Sequence, residues 1–132
     1  MAKKNQCAAL PFRKKNGKLE IILITRKGNG EWIIPKGNIE TDRSESRSAE
    51  LEAFEEAGVT GSAGKTSVGK FKYHRNNQDQ VVYVYPIEVK KVLRYWPEKK
   101  ERKRKIVSFK KALDLVGNES LRKLLKTFRK EL

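Results

Sequence analysis

Apolar residues gather in short runs separated by turn-forming residues. Residues 5–12 and 19–26 are two such runs, and the second, LEIILITR, is rich in Ile and suits a buried strand. KNG at 15–17 predicts a hairpin turn between them, and KGNG at 27–30 predicts the next turn. EWII at 31–34 follows as a short strand that Pro35 ends. Residues 66–73 and 80–89 alternate or run with Val, Tyr and Phe and read as two further strands, joined by the polar loop HRNNQD at 74–79. IVSF at 106–109 makes a short late strand. Three segments carry helical period instead: 44–57, 110–116 and 119–130. In the last, Leu121, Leu124, Leu125 and Phe128 form one apolar stripe. No internal repeat and no linker rich in Pro, Gly or Ser divides the chain. The pattern predicts one domain over 1–132, α+β in class, with a mixed sheet and a few helices layered on it as an αβα sandwich.

The first helix has both ends marked. Asp42 or Ser44 is the candidate N-cap, and Gly58 stands where a glycine in the left-handed conformation ends a helix. Ala49, Ala53 and Ala57 share a stripe with Phe54 beside it, and that side is expected to pack inward, close to a sheet. Glu52 and Glu56 are one turn apart on a shared face, and Glu55 lies to one side of them. Like charges at this spacing repel. The nearest basic residue on the helix, Arg47, is more than one turn earlier. Carboxylates at the rim of a packed face suit a hard divalent cation; the alternative is a solvated helix face.

Composition narrows the partners. The 31 Lys and Arg outnumber the 16 Asp and Glu, a net charge of +15, which favours a nucleic acid, a nucleotide, an inositol phosphate or an acidic surface, unless it serves solubility alone. Cys7, the one cysteine, excludes an intrachain disulfide and reads as a small core residue. No apolar run approaches the length of a membrane span and the N-terminus does not read as a signal peptide, so a cytoplasmic protein is expected.

The stretch from Gly37 to Val59 resembles the box of the Nudix hydrolases. Gly37 falls on its first glycine, and Glu52, Glu55, Glu56, Gly58 and Val59 fall on later fixed positions. Arg43 stands where the family has its first Glu, and Leu51 where it has Arg; in the family these two pair, and here both are absent together. PKG at 35–37, GKFKYHR with VVYVYPIEV, and WPEKKERKRKIVSFKKAL resemble the branch that cleaves diadenosine polyphosphates and diphosphoinositol polyphosphates. The resemblance implies an αβα sandwich and a Mg²⁺-dependent pyrophosphohydrolase, with Mn²⁺ as a substitute, acting on an anionic polyphosphate substrate. It implies metal ligands Glu52, Glu56 and the backbone carbonyl of Gly37, with Glu55 a further ligand or the base for the attacking water. Lys36 and Arg43 are candidate phosphate contacts, and Glu40 a candidate extension of the metal shell. His74, a lone histidine, reads as structural rather than as the base. The run EKKERKRK at 98–105 reads as a polyphosphate-facing patch or a solvated loop; as an RNA surface it lacks interleaved aromatic residues and a recognised module. The alternative function is a degenerate domain of the same fold that binds polyphosphate or RNA without turnover. A monomer and a homodimer are equally compatible with the sequence.

Overall fold

A computed structural model describes residues 6–132, the side chain of Arg75 excepted. The strands are β1 (Gln6–Lys15), β2 (Lys18–Thr25), β3 (Trp32–Ile33), β4 (Lys36–Asn38), β5 (Val59–Ala63), β6 (Gly69–Arg75), β7 (Gln78–Val92) and β8 (Arg104–Ser108). The helices are α1 (Glu45–Ala57), α2 (Phe109–Leu115) and α3 (Glu119–Glu131).

One mixed sheet runs β3-β2-β1-β7-β5, with β4 also on β1, β6 on β7 and β8 on β2. The β1–β7 pairing is parallel and the others are antiparallel. β4 and β2 use opposite ends of β1, with Cys7 opposite Gly37 and Phe12 opposite Ile21.

The alternation of strand side chains divides the core in two. Cys7, Ala9, Ile22, Ile24, Tyr85 and Ile87 face one way and bury Ala49, Ala53 and Ala57 of α1. Ala8, Leu10, Ile21, Leu23, Val82 and Val84 face the other way, against α2 and the Leu121–Leu124–Leu125–Phe128 stripe of α3. The result is the expected αβα sandwich. Alanines let α1 lie close to its face, so the residues at the edge of that stripe come near the sheet's main chain.

Several boundaries differ from the sequence reading. The segment 74–79 is not a loop: His74 pairs with Asp79 and Arg75 with Gln78, leaving a two-residue turn in which Asn76 and Asn77 both have positive φ. It is polar because this end of the hairpin is exposed, not because it leaves the sheet. β4 and β5 carry no apolar signal of their own and are strands because β1 and β7 offer them partners. Phe109 opens α2 rather than closing β8. Phe54, expected beside the inward stripe, is 36% exposed, because it stands about 100° around the helix from Ala53 at the stripe's centre.

Candidate metal centre

The helix that carries the glutamates is fixed from both ends. Ser44 is its N-cap, accepting from the Arg47 N–H at 3.2 Å. Ser48, buried on the first turn, accepts from the Glu40 N–H at 3.2 Å and ties the preceding loop to the helix. At the other end Gly58 has φ 64° and donates its N–H to the carbonyls of Ala53 and Phe54.

A distant segment then closes over this end. The N–H groups of Glu98 and Leu93 donate to the carbonyls of Glu55 (3.0 Å) and Gly58 (2.7 Å). Trp96 Nε1 donates to the Glu56 carbonyl at 3.1 Å. Arg104 reaches the Ala57 carbonyl at 2.9 Å while its guanidinium lies 4.0 Å from the Trp96 ring centroid. The helix C-terminus, where carbonyls lack intrahelical partners, is thus satisfied by residues about 40 positions away.

Glu52 and Glu56 project from α1 toward β4. Gly37 has no room for a side chain, since a Cβ there would overlap the Glu52 carboxylate. The Lys36 N–H donates to Glu56 Oε1 at 3.2 Å. Glu56 is 5% exposed. Burial is the largest influence on it and pushes its carboxyl up to about 8; the Arg102 guanidinium pulls the other way, and the hydrogen bond shared with Glu52 adds to the rise. Glu52 is also raised, chiefly by burial, with Glu55, Glu98 and Glu40 adding repulsion against the hydrogen bond from Glu56. Two neighbouring carboxylates, one buried and one half-buried, repel each other when both are charged, and a divalent cation beside them would relieve that repulsion.

Among the described residues no three His, Cys, Asp or Glu side chains converge as a metal cage. Mg²⁺ does not need one: it is commonly held by one or two carboxylates, with water and substrate phosphate completing the octahedron. Glu52, Glu56 and the adjacent main chain of Gly37 match that donor set.

The other candidates fall into place around this pair. Glu55 is half-buried on the same helical turn, its carboxylate without a hydrogen bond or ion pair among the described residues, and it repels Glu52. Glu40 is exposed in the loop and acts on Glu52 through charge alone. Arg43 is exposed before the helix. Lys36 offers the site its main chain, while its ammonium lies 4.3 Å from the Tyr73 ring centroid. Lys36 pairs with Ala8, which faces α3, so its side chain is on the opposite face of the sheet from the glutamates. His74 is exposed on the β6–β7 hairpin and meets Asp79 at 3.2 Å.

The basic run is neither a uniform patch nor a loose loop. Arg102 turns inward with its side chain 11% exposed: Nε bonds Glu98 at 2.8 Å, Nη1 bonds the Thr25 carbonyl at 3.1 Å, and Nη2 is 3.7 Å from Glu56. Arg104 turns inward onto Trp96, leaving Lys99, Lys100, Lys103 and Lys105 on the outside. Arg102 and Glu98 are the site residues that sequence reasoning missed, and nothing local distinguishes them within a run of eight charged residues. Ser48 was missed as well.

A mixed sheet lies between one helix and two, and an alanine-backed helix brings a carboxylate pair against the strand and loop that precede it. Comparison with known proteins resolves the class further. The NUDIX domain model matches residues 3–128. Nudix hydrolase 21, chloroplastic, of Arabidopsis thaliana is 36% identical over 126 residues, covering 90% of this chain and 63% of the relative. Diphosphoinositol polyphosphate phosphohydrolase 3-beta of Bos taurus is 30% identical over 95 residues, covering 72% and 57%. The crystal structure of the C. elegans Ap4A hydrolase superposes with a TM-score of 0.78 at 19% identity, covering 99% of this chain and 98% of that one. The chain belongs to the Nudix family. It spans about three fifths of the length of the curated relatives named first.

Proposed function

We propose that the protein is a divalent-cation-dependent hydrolase of phosphoanhydride bonds, acting on a dinucleoside polyphosphate or a diphosphoinositol polyphosphate. The observation that carries this reading is the Glu52–Glu56 pair, Glu56 buried and Glu52 half-buried, set against the main chain of Gly37 and Lys36. The names of two relatives, a diphosphoinositol polyphosphate phosphohydrolase and an Ap4A hydrolase, give it the substrate classes to try.

Glu52, Glu56 and the Gly37 carbonyl would hold Mg²⁺ or Mn²⁺. A cation there would supply neutralisation of diphosphate oxygens and a more acidic bound water. Glu56 is kept in place by the Lys36 N–H and Arg102, so it does not need to be ordered when substrate arrives. Glu55, whose carboxylate has no partner among the described residues, would take the proton of the attacking water or serve as a further ligand. Arg43, exposed at the loop, would hold a substrate phosphate. A contact from Lys36 would fall on a part of the substrate that passes over the β4 edge to the Tyr73 side. No helix of the described residues is long and apolar enough to cross a membrane; the cytoplasm is the compartment we propose, to be checked by fractionation.

A second reading, polyphosphate binding without turnover, is favoured by Arg43 and Leu51, which replace a charged pair of the box. A panel of dinucleoside polyphosphates and diphosphoinositol polyphosphates assayed with Mg²⁺ for phosphate release decides between them. Turnover that needs the metal and disappears in Glu56→Gln supports hydrolysis. Tight binding of the same compounds with no release by the wild type supports the second reading.

A further inference from the structure

A recess of about 470 Å³ lies where the β1–β2 hairpin, the start of α2 and the end of α3 meet. Lys14 and Lys18 come from the hairpin, Lys110 from α2 and Arg129 from α3, and no Asp or Glu side chain lines it. None of the four cations forms an ion pair among the described residues, although elsewhere the protein pairs Arg13 with Glu20 and Arg122 with Glu119. The hairpin makes the crowding worse: Lys15 and Lys18 are directly opposite each other across it, and like charges so placed are destabilising.

The recess is remote from the glutamates. Gly37 pairs with Cys7 near the start of β1, and Lys14 is seven residues further along it, roughly 23 Å at the rise of a strand. It also lies against α2 and α3, on the face of the sheet opposite α1. One small substrate cannot occupy both places.

We propose that this recess is a second anion site, taking a compact molecule that carries several phosphate groups. Four cations from three elements around one small concavity, which Leu132 also lines, suit clustered phosphates, which would relieve the repulsion among them. Arg129 is held in position, its guanidinium 4.9 Å from the ring centroid of the buried Phe109. Ser108 adds a hydroxyl: its oxygen accepts from the Lys111 N–H at 3.1 Å, which leaves its O–H to donate into the recess. The one aromatic ring lining the recess, Phe109, is 6% exposed and covered by Arg129, so nothing there stacks a base, and a single-stranded nucleic acid is the poorer fit.

Titration calorimetry of the whole chain with inorganic tripolyphosphate, with EDTA present, tests this without involving the metal-dependent site. The wild type should bind one equivalent, and Lys14→Gln/Lys18→Gln/Lys110→Gln should bind at least tenfold more weakly. A control of equal kind, Lys65→Gln/Lys72→Gln, should bind as the wild type does. All these lysines are exposed or at a hairpin end, and circular dichroism checks that the variants fold; should the triple variant fail, Lys18→Gln alone should still weaken binding. No binding by the wild type, or equal loss in the control, overturns the proposal. An oligouridylate 20-mer that binds more tightly than tripolyphosphate, and loses affinity in the triple variant, overturns it in favour of a nucleic-acid surface. Absence of hydrolysis of any substrate would leave this result untouched.

Discussion

Burial holds the Glu56 carboxyl above its ordinary value, and this sets how single substitutions should act. Its folded-state value of about 8 is above the ordinary 4.5, so folding favours the protonated form. That contribution to stability is fully present below pH 4.5 and is lost as the pH rises through 8. Metal-free protein should therefore lose stability over this interval, by at most about 1.4 kcal/mol per pH unit for one proton. Glu56→Gln should flatten that slope in denaturant titrations across pH, and in the same protein turnover should fall at least about 100-fold with Mg²⁺ present. Near wild-type turnover of this variant on a verified substrate would remove Glu56 from the site. Gly37→Ala is a complementary case. The added Cβ meets the end of the flexible Glu52 side chain rather than backbone, so it should displace the carboxylate at a cost in stability under about 1 kcal/mol. Activity should drop while the melting temperature stays close to wild type; an unaffected rate would mean that Glu52 is not held against Gly37 during catalysis.

At the scale of elements, α1 was legible and its surroundings were not. Its caps, the alanine stripe and the Glu52–Glu56 face are all written in local spacing, and the structure has them. The apolar runs of β1 and β2 likewise announced buried strands. β4 and β5 were illegible because KGN and VTGSA have no period, and their strand character comes from pairing with distant segments. The clasp at the helix C-terminus was illegible for the same reason: Trp96 and Glu98 reach α1 from about 40 residues away, and a charge run hides which members turn inward. Gly58 joins the two kinds of information. Its left-handed φ was expected, but the Trp96 ring and Arg104 packed where a Cβ would stand were not. Gly58→Ala should thus cost more than the roughly 1–2 kcal/mol of the backbone conformation alone, since it also displaces Trp96. Equilibrium unfolding in urea measures this, and a loss below 1 kcal/mol would mean that the clasp is not closely packed.

For the molecule as a whole, the charge of +15 divides into residues with internal duties and residues left to face solvent. Arg102 and Arg104 belong to the first group. Lys100 and Lys103 belong to the second and lie beside the clasp, as does the exposed Lys99, whose ammonium also donates to the Arg94 carbonyl at 2.8 Å. Charges of the second kind act on encounter and binding more than on the chemical step. Replacing these three lysines with Gln should raise KM for polyphosphate substrates and leave kcat nearly unchanged, with the larger effect on longer phosphate chains. Added salt should weaken wild-type binding more than that of the variant. Arg102→Gln should differ in kind by lowering kcat, because it removes the cation that steadies Glu56. Steady-state kinetics over a salt series distinguishes the two, and an identical pattern for both variants would argue that the run acts as one undivided patch.

The clasp has a consequence for the order in which the protein is assembled and undone. Glu55 and Glu56 sit on a helical turn whose carbonyls are satisfied by residues 93–104, so this turn is complete only after most of the chain has been made. Contacts of such long sequence separation carry a loop-closure cost and tend to form late. The same contacts connect opening of the 93–104 segment to fraying of the turn that bears the glutamates. Hydrogen exchange should therefore report the amides of Leu93, Gly58 and Glu98 exchanging as one unit, separately from the slower centre of α1, and a divalent cation bound at Glu56 should slow exchange throughout the 93–104 segment.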